Sequence, residues 1–162
     1  MQPAPVRAYV ALGANLGDPA MTLRAAFSEL GRLPHTALTA RSSLYATSPV
    51  DADGPDYRNA VAAVDTTLDP LDLLHALQGL EAAHGRQRPY LHAPRTLDLD
   101  LLLYDDLDMQ TTELTLPHPR MHLRAFVLVP LLEIAPAIAI PRLGAADELL
   151  TRITDQPIRK LP

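Results

Sequence analysis

Two Asp-Pro pairs, Asp18-Pro19 and Asp69-Pro70, constrain the fold of this chain because each marks the start of a helix. Aspartate caps helix N-termini well, and proline is favoured at the first helical position, where no intrahelical N–H bond is lost. Apolar residues recur at helical spacing after both pairs, and Gly85 ends the second pattern. The sequence therefore predicts two amphipathic helices, beginning near residues 19 and 70.

Strand signals lie before, between and after these helices. Residues 6–12 form a compact apolar run that ends in a glycine turn, and β-branched and aromatic residues favour strands over 36–45 and 57–67. A leucine-rich strand follows the second helix. The order strand, helix, strand, strand, helix, strand is that of a split βαβ unit. We therefore predict an α+β, ferredoxin-like fold: one antiparallel sheet with packed helices in α/β/α layers, formed as a single domain over residues 1–162.

Three later segments give weaker signals. Residues 107–116 favour a short paired strand, Pro130 is expected to open a helix, and residues 145–153 are expected to form a terminal helix. Residues 46–56, between the second and third strands, are rich in Pro, Asp and Gly and are expected to form a mobile or functional loop.

Composition narrows the class of protein. With 162 residues and 48% hydrophobic content, the chain has enough apolar material for one core. A net charge of -5 argues against a broad basic surface for nucleic acid. The absence of cysteine excludes disulfides, thiolate metal sites and cysteine nucleophiles. We see neither a secretory signal nor a membrane-spanning segment, so we expect a soluble cytoplasmic protein.

The run PRTLDLDLLLYDD, over residues 94–106, places Asp98 and Asp100 in the leucine-rich strand. Because strand side chains alternate between faces, both carboxylates project to one face, with Cα atoms roughly 6.6 Å apart. The other face is expected to receive Leu97, Leu99, Leu101 and Leu103. Carboxylates at this spacing can converge on one cation or on a close pair of cations.

A strand with one buried and one solvated face gives the same alternation without any function. Two observations favour a metal site. Aspartate is depleted in strands, and two aspartates on one face repel each other unless a cation or an arginine lies between them. Arg95 lies just upstream of the pair. Spacing alone leaves both interpretations open.

Five arginines, Arg86, Arg88, Arg95, Arg120 and Arg124, lie in the stretch that holds the aspartate pair. Arginine binds phosphate oxygens bidentately, and oxygen ligands argue for Mg²⁺ over zinc. The combination suggests a nucleoside triphosphate held through Mg²⁺. The turn GANLG is not followed by Lys-Ser or Lys-Thr, so it is not a Walker-type phosphate loop.

Four blocks of sequence are together highly specific. They are ALGANLGD, PDYRNAVA, APRTLDLDLL and LPHPRMHLRAFVLVPLLEIAP, in this order over nearly the whole chain. In these blocks the chain resembles the hydroxymethyl-dihydropterin pyrophosphokinases of folate biosynthesis. The resemblance implies a single pyrophosphokinase domain that transfers pyrophosphate from ATP to the hydroxymethyl group of 6-hydroxymethyl-7,8-dihydropterin and releases AMP.

The resemblance also implies roles for individual residues. Asp98 and Asp100 match the ligands of two Mg²⁺ ions, and Arg86 and Arg95 match catalytic arginines. The implied pterin-binding residues are Thr47, Pro49, Val50, Tyr57, Asn59, Arg124 and Phe126. The implied ATP-binding residues are Gln78, Glu81, Arg88, Leu101, Thr115 and His118. The two aromatic residues of the pterin-binding set, Tyr57 and Phe126, are expected to enclose the flat substrate between their rings.

Between Arg88 and Arg95 the better-known family members carry an Arg-Trp pair, where this chain has Leu91 and His92. Two alternatives stay open beside the pyrophosphokinase. One is a glycosyltransferase that holds a sugar nucleotide through an Asp-x-Asp pair, although such enzymes usually need a longer domain. The other is a nucleotide-binding module with weak or no catalysis. The resemblance implies ATP and the reduced pterin as partners; we expect no nucleic acid, no membrane and a monomer.

Overall fold

The computed structural model describes residues 3–48, 55–85 and 96–162. Its first elements are β1 (Val6–Ala14), α1 (Pro19–Leu30), β2 (Thr36–Arg41), β3 (Tyr45–Thr47), β4 (Tyr57–Thr66), α2 (Pro70–Gly85) and β5 (Asp98–Tyr104). The later ones are β6 (Met109–Gln110), β7 (Thr115–Leu116), a 3₁₀ helix (Met121–Leu123), α3 (Ala125–Ile134), β8 (Ala139–Ile140), β9 (Gly144–Ala145), α4 (Ala146–Leu150) and β10 (Arg159–Lys160). Among these described ranges, no helix has the length and apolar character needed to cross a membrane.

A six-stranded sheet forms the centre of the fold. β1 pairs antiparallel with β4 on one side and with β5 on the other. β2 and β3 pair one after the other along the far side of β4, and β10 pairs with β3. This arrangement confirms the predicted α+β fold. The strand predicted over 36–45 is interrupted at Ser42, whose hydroxyl accepts the Val61 N–H at 2.9 Å.

The pleat of the central strands separates two cores. One lies under α1 and α2 and receives Ala8, Val10 and Leu12 of β1, Ala60, Ala62 and Val64 of β4, and Leu99 and Leu101 of β5. The other lies under α3 and receives Ala11, Val61 and Leu103 from the same three strands, with Val127, Leu128 and Leu131 of the helix. Helices therefore cover both faces of the sheet, as the predicted α/β/α layers require.

A β-bulge changes the faces of β5 part-way along its length. Tyr9 pairs with Leu103, but the next residue of β1, Val10, pairs with Leu101, so Leu102 is the extra residue. The prediction that Leu103 shares a face with Leu101 is therefore wrong. Both leucines after Leu101 are buried in the core under α3. The aspartates precede the bulge, so their predicted common face is unaffected.

The predicted helix starts are confirmed by their caps. The Asp18 carboxylate accepts the Met21 N–H at 3.2 Å, and the Asp69 carboxylate accepts the Asp72 N–H at 2.8 Å. The helix expected to open at Pro130 instead begins at Ala125, and Pro130 lies inside it. An internal proline removes one helical hydrogen bond. The apolar residues that α3 buries around it offset this cost.

The later segments are shorter than predicted. Residues 107–116 contain a two-strand hairpin, in which Met109 pairs with Leu116 and Gln110 pairs with Thr115. The helix expected over 145–153 is α4, Ala146–Leu150. Beyond α4 the chain continues to β10, which pairs with β3.

Glu133, near the end of α3, ties that helix to the segment between β2 and β3. Its carboxylate accepts hydrogen bonds from the Ser43 N–H at 3.0 Å, the Ser43 hydroxyl at 2.8 Å and the Tyr45 hydroxyl at 2.7 Å. Partial burial acts to raise the pKa of Glu133, but these bonds and the charge of Lys160 outweigh it, and the pKa is lowered. The contacts hold β3, which carries Thr47, against α3.

Glu133→Gln is expected to lower the free energy of unfolding at neutral pH, because an amide accepts weaker hydrogen bonds than a carboxylate. A carboxylate whose pKa falls on folding contributes stability that is present above its unfolded pKa, about 4.3, and is lost as the pH falls through the folded pKa. In urea unfolding, the difference between wild type and variant should therefore shrink below about pH 4.3. Glu148→Gln, at an exposed carboxylate of α4, is the matched control. A difference that stays constant into the acid range would contradict this prediction.

Candidate active site

The register of the three central strands places a polar row across the face under α3. Gly13 of β1 pairs with Asn59 of β4 on one side and with Asp98 of β5 on the other. Two residues along, Ala11 lies opposite Asp100. Directly opposed residues project to the same face of a sheet. The predicted aspartates and the predicted pterin-binding asparagine therefore share one face, separated by a strand whose side chains there are small.

Asn59 is 5% exposed, and its amide is fixed in one orientation. Its Oδ1 accepts a hydrogen bond from the Thr47 hydroxyl at 2.7 Å. A Cβ atom on Gly13 would lie 3.3 Å from Asn59 Nδ2, so the amide nitrogen is directed toward β1 at the glycine. Glycine at position 13 leaves room for this side chain. Sequence reasoning included Gly13 in a motif but assigned it no role.

The aspartates differ in exposure: Asp98 is exposed and Asp100 is half-buried. No group of three or more His, Asp or Glu side chains in the described ranges is arranged to hold a metal ion. Two carboxylates on one face still fit Mg²⁺, which keeps several waters and is commonly bound by one or two carboxylates together with substrate phosphates. The donor set is therefore suited to Mg²⁺ that arrives with a nucleotide.

Glu81 connects α2 to the strand that carries the aspartates. Its Oε2 accepts the Leu99 N–H at 2.8 Å, on the side of β5 that faces away from β1. Because the backbone N–H and C=O groups of successive residues point to opposite edges of a strand, those of Leu101 lie at the same outer edge as those of Leu99. The Leu101 side chain is buried under α1 and α2, so only its backbone groups lie at this edge. Gln78 is exposed on α2, one turn before Glu81.

His118 follows the cis peptide bond between Leu116 and Pro117. Its Nδ1 accepts the Arg120 N–H at 3.1 Å, which assigns the proton of the neutral ring to Nε2. Burial lowers the pKa of His118; the carboxylate of Asp100 acts in the opposite direction, and Arg124 and Arg120 lower it further. The structure thus brings these charged groups together around the ring. Thr115 lies at the start of β7, three residues earlier.

Arg124 and Phe126 lie at the start of α3. The Arg124 guanidinium carbon is 5.4 Å from the centroid of the Phe126 ring, within the range of a cation–π contact. The ring itself packs against the core under α3. Tyr57, half-buried at the start of β4, lies two residues from Asn59 and so on the same face. The two predicted aromatic residues are therefore on the same side of the sheet.

Several predicted site residues lie outside the described residues: Pro49, Val50, Arg86, Arg88 and Arg95, together with Leu91 and His92. The residues on either side of 86–95 are close together, because the Thr96 hydroxyl donates to the His84 carbonyl at 2.9 Å. On α2, His84 also contacts Glu29 of α1 at 2.7 Å. The end of α2 and the start of β5 are thus joined directly.

Comparison with known proteins identifies the family. The sequence profile described as 7,8-dihydro-6-hydroxymethylpterin-pyrophosphokinase (HPPK) matches residues 9–136. The chain belongs to the HPPK family. It is 46% identical to the 2-amino-4-hydroxy-6-hydroxymethyldihydropteridine pyrophosphokinase of Pseudomonas aeruginosa over 157 residues, which is 96% of this chain and 97% of the relative. It is 44% identical to the Haemophilus influenzae protein of the same name, over 96% of this chain and 98% of that protein.

Solved HPPK structures share the fold at low sequence identity. Plasmodium falciparum HPPK-DHPS, crystallised with pterin and p-hydroxybenzoate, matches 94% of this chain with a TM-score of 0.73 and 14% identity. An HPPK-DHPS in complex with substrates matches 93% with a TM-score of 0.74 and 12% identity. The chain spans 42% and 43% of those two longer chains. The family resemblance inferred from the four sequence blocks is confirmed.

His75, whose ring contacts the Glu113 carboxylate, and His118, which lies near Asp100, should titrate in a fixed order. A hydrogen bond with Glu113 raises the pKa of His75, whereas burial lowers the pKa of His118. In an NMR titration without divalent cations, His75 should therefore become protonated first as the pH falls. Asp100→Asn should lower the pKa of His118 further, because an attractive charge is lost. Glu113→Gln should lower the pKa of His75 alone; the reverse order of titration would contradict the described environment of His118.

Proposed function

We propose that this chain carries out the reaction of its family, transfer of a pyrophosphoryl group from ATP to 6-hydroxymethyl-7,8-dihydropterin in folate synthesis, with the aspartates of β5 as ligands of two Mg²⁺ ions. One observation carries the proposal. Asp98, Gly13 and Asn59 lie in a single cross-strand row on the face under α3. A metal-binding carboxylate and a pterin-binding amide are thereby held on one rigid surface, as an in-line transfer between two substrates requires.

The pterin side of the site is assigned to the β3–β4 end of this surface. Asn59, whose amide is oriented by the Thr47 hydroxyl, contributes this amide to pterin binding. Tyr57 and Phe126 enclose the heterocycle, which favours stacking between aromatic rings. Pro49 and Val50 complete the pocket by resemblance to the family. Arg124 lies where the two substrates meet, and its contact with the Phe126 ring supports this role.

The nucleotide side is assigned to the outer edge of β5 and the residues around it. The edge supplies the backbone of Leu101, next to the Glu81 contact with Leu99. The neutral ring of His118 presents its Nε2–H as a donor for a phosphate oxygen. The remaining ATP-binding residues are Gln78, Arg88 and Thr115. Arg86 and Arg95 are assigned to the stabilisation of charge on the transferred group.

Bound Mg²⁺ would neutralise phosphate charge and align the attacking and leaving oxygens. Asp98 and Asp100 would hold the ions from one side, and the triphosphate and water would supply the other ligands. No general base is needed among the described residues, because positioning and charge stabilisation carry most of phosphoryl transfer. The protein contributes a fixed surface rather than a reactive side chain.

Asp98→Asn and Asp100→Asn should each lower turnover by about a thousandfold, because metal-assisted charge stabilisation contributes several kcal/mol. The far-ultraviolet circular dichroism spectrum should not change, since neither side chain belongs to a core. Asp106→Asn, at an exposed residue after β5, is the matched control. A near-normal rate in either site variant would show that the metal assignment is wrong.

The products distinguish the proposed function from its alternatives. Purified protein with ATP, Mg²⁺ and hydroxymethyl-dihydropterin should release AMP only when the pterin is present. Release of ADP would indicate ordinary phosphoryl transfer. Release of neither nucleotide, with ATP bound, would support a nucleotide-binding module, which the loop departure at Leu91 and His92 had kept open.

Gly13→Ala should weaken pterin binding more than nucleotide binding. The added Cβ would lie 3.3 Å from Asn59 Nδ2, so the amide would have to move by a few tenths of an ångström. We expect the pterin dissociation constant to rise about tenfold and that of a nonhydrolysable ATP analogue to change less than about twofold. Isothermal titration calorimetry measures both. Gly79→Ala is the control, because an added Cβ there meets no atom within 4 Å. Equal losses for both ligands would contradict a role for Gly13 in the pterin site.

A further inference from the structure

Gln156 contacts both backbone groups that flank Arg124. Its Oε1 accepts the Ala125 N–H at 2.9 Å, and its Nε2 donates to the Leu123 carbonyl at 2.9 Å. The glutamine is separated from these residues by 31 and 33 positions in the sequence, so the contact is tertiary. Both ends of one planar amide are thus fixed to the peptide units on either side of the arginine.

Arg124 lies at the junction of two helical segments. With φ -123° and ψ 113°, it is the extended residue between the 3₁₀ helix and α3. These backbone angles set the direction in which the Arg124 side chain projects. Arg124 makes no side-chain capping hydrogen bond for α3. The first N–H of the helix, which has no intrahelical partner, is instead paired with Gln156.

The segment that carries Gln156 is itself fixed at both ends. On one side the Ile153 N–H donates to the Leu150 carbonyl at 3.0 Å, which continues the turn after α4. On the other side β10 pairs with β3, and the Leu161 N–H donates to the Leu44 carbonyl at 2.9 Å. The backbone on both sides of Gln156 is therefore anchored, and its exposed side chain reaches the peptide groups around Arg124.

We propose that Gln156 is a positioning residue that fixes the direction of Arg124 over the Phe126 ring, and so the arrangement of the two substrates. The inference rests on the proposed function, in which Arg124 lies where both substrates meet. Gln156 acts only through the backbone around Arg124. Its effect on substrate binding should therefore depend on the presence of the arginine side chain.

A double-mutant cycle tests this dependence. Gln156→Leu removes both hydrogen bonds at similar side-chain size and should raise the pterin dissociation constant, measured with a nonhydrolysable ATP analogue, about tenfold. Arg124→Ala should raise it at least as much. In the Arg124→Ala background, Gln156→Leu should add less than about twofold, because the side chain it positions is gone. Glu148→Leu, the same type of replacement on the exposed face of α4, should change the constant less than about twofold.

Gln156→Glu separates positioning from stability. The carboxylate keeps an acceptor for the Ala125 N–H and is favourable at a helix N-terminus, so the melting temperature should stay near that of the wild type. It has no donor for the Leu123 carbonyl, so the pterin dissociation constant should still rise about threefold. This variant also tests the inference if Gln156→Leu fails to fold.

The outcomes distinguish failure of the inference from failure of the site assignment. If Arg124→Ala impairs binding but neither Gln156 variant does, Gln156 has only a structural role and the inference is wrong. If Gln156→Leu weakens binding equally with and without the arginine side chain, the effect does not pass through Arg124, which also overturns it. If Arg124→Ala changes neither binding nor turnover, the role given to Arg124 in the proposed function is wrong as well.

Discussion

The antiparallel pairing of β1 with both β4 and β5 is the constraint on which the candidate site depends. Because side chains alternate with a period of two, a slip of one residue would turn Asp98 and Asp100 into the core under α1 and α2. The apolar residues of opposite parity prevent this: Leu12 and its partner Leu99 are buried in that core. The position of the polar row is therefore fixed by residues that take no part in the chemistry.

The bulge at Leu102 lets the second half of β5 supply two adjacent leucines to the core under α3. The first half of β5 must present carboxylates under α3, whereas the second half must present apolar side chains there to complete the core. Strict alternation would place Leu102 on the face under α3 but would turn Leu103 to the opposite face. Inserting Leu102 as an extra residue changes the parity after Leu101, so Leu102 and Leu103 fill the core under α3.

Local features of the fold are well predicted from the sequence, whereas features that depend on tertiary packing are not. The Asp-Pro helix starts and the common face of the aspartates follow from short-range geometry, and both are found in the structure. The bulge at Leu102 and the start of α3 depend on packing instead. Arg124 is a poor helix cap, so the sequence around it gives no start signal before Pro130. Remote partners such as Glu133 and Gln156, which contact segments 90 and about 30 residues away, leave no periodic pattern. The roles predicted for individual site residues rest instead on the family resemblance.

Burial of His118 influences the charge of the whole candidate site as well as the charge of its own ring. A protonated histidine beside Asp100 would form an ion pair and compete with a cation for the carboxylate. Because burial lowers the pKa of His118, the ring is neutral at physiological pH despite the attraction of that carboxylate. Arg124 and Arg120 act in the same direction as burial. The same environment that keeps the histidine neutral, with its proton on Nε2, supports the proposal that Asp100 binds a divalent cation. In the proposed function, this surface would offer a neutral donor to phosphate oxygens and a carboxylate to the metal.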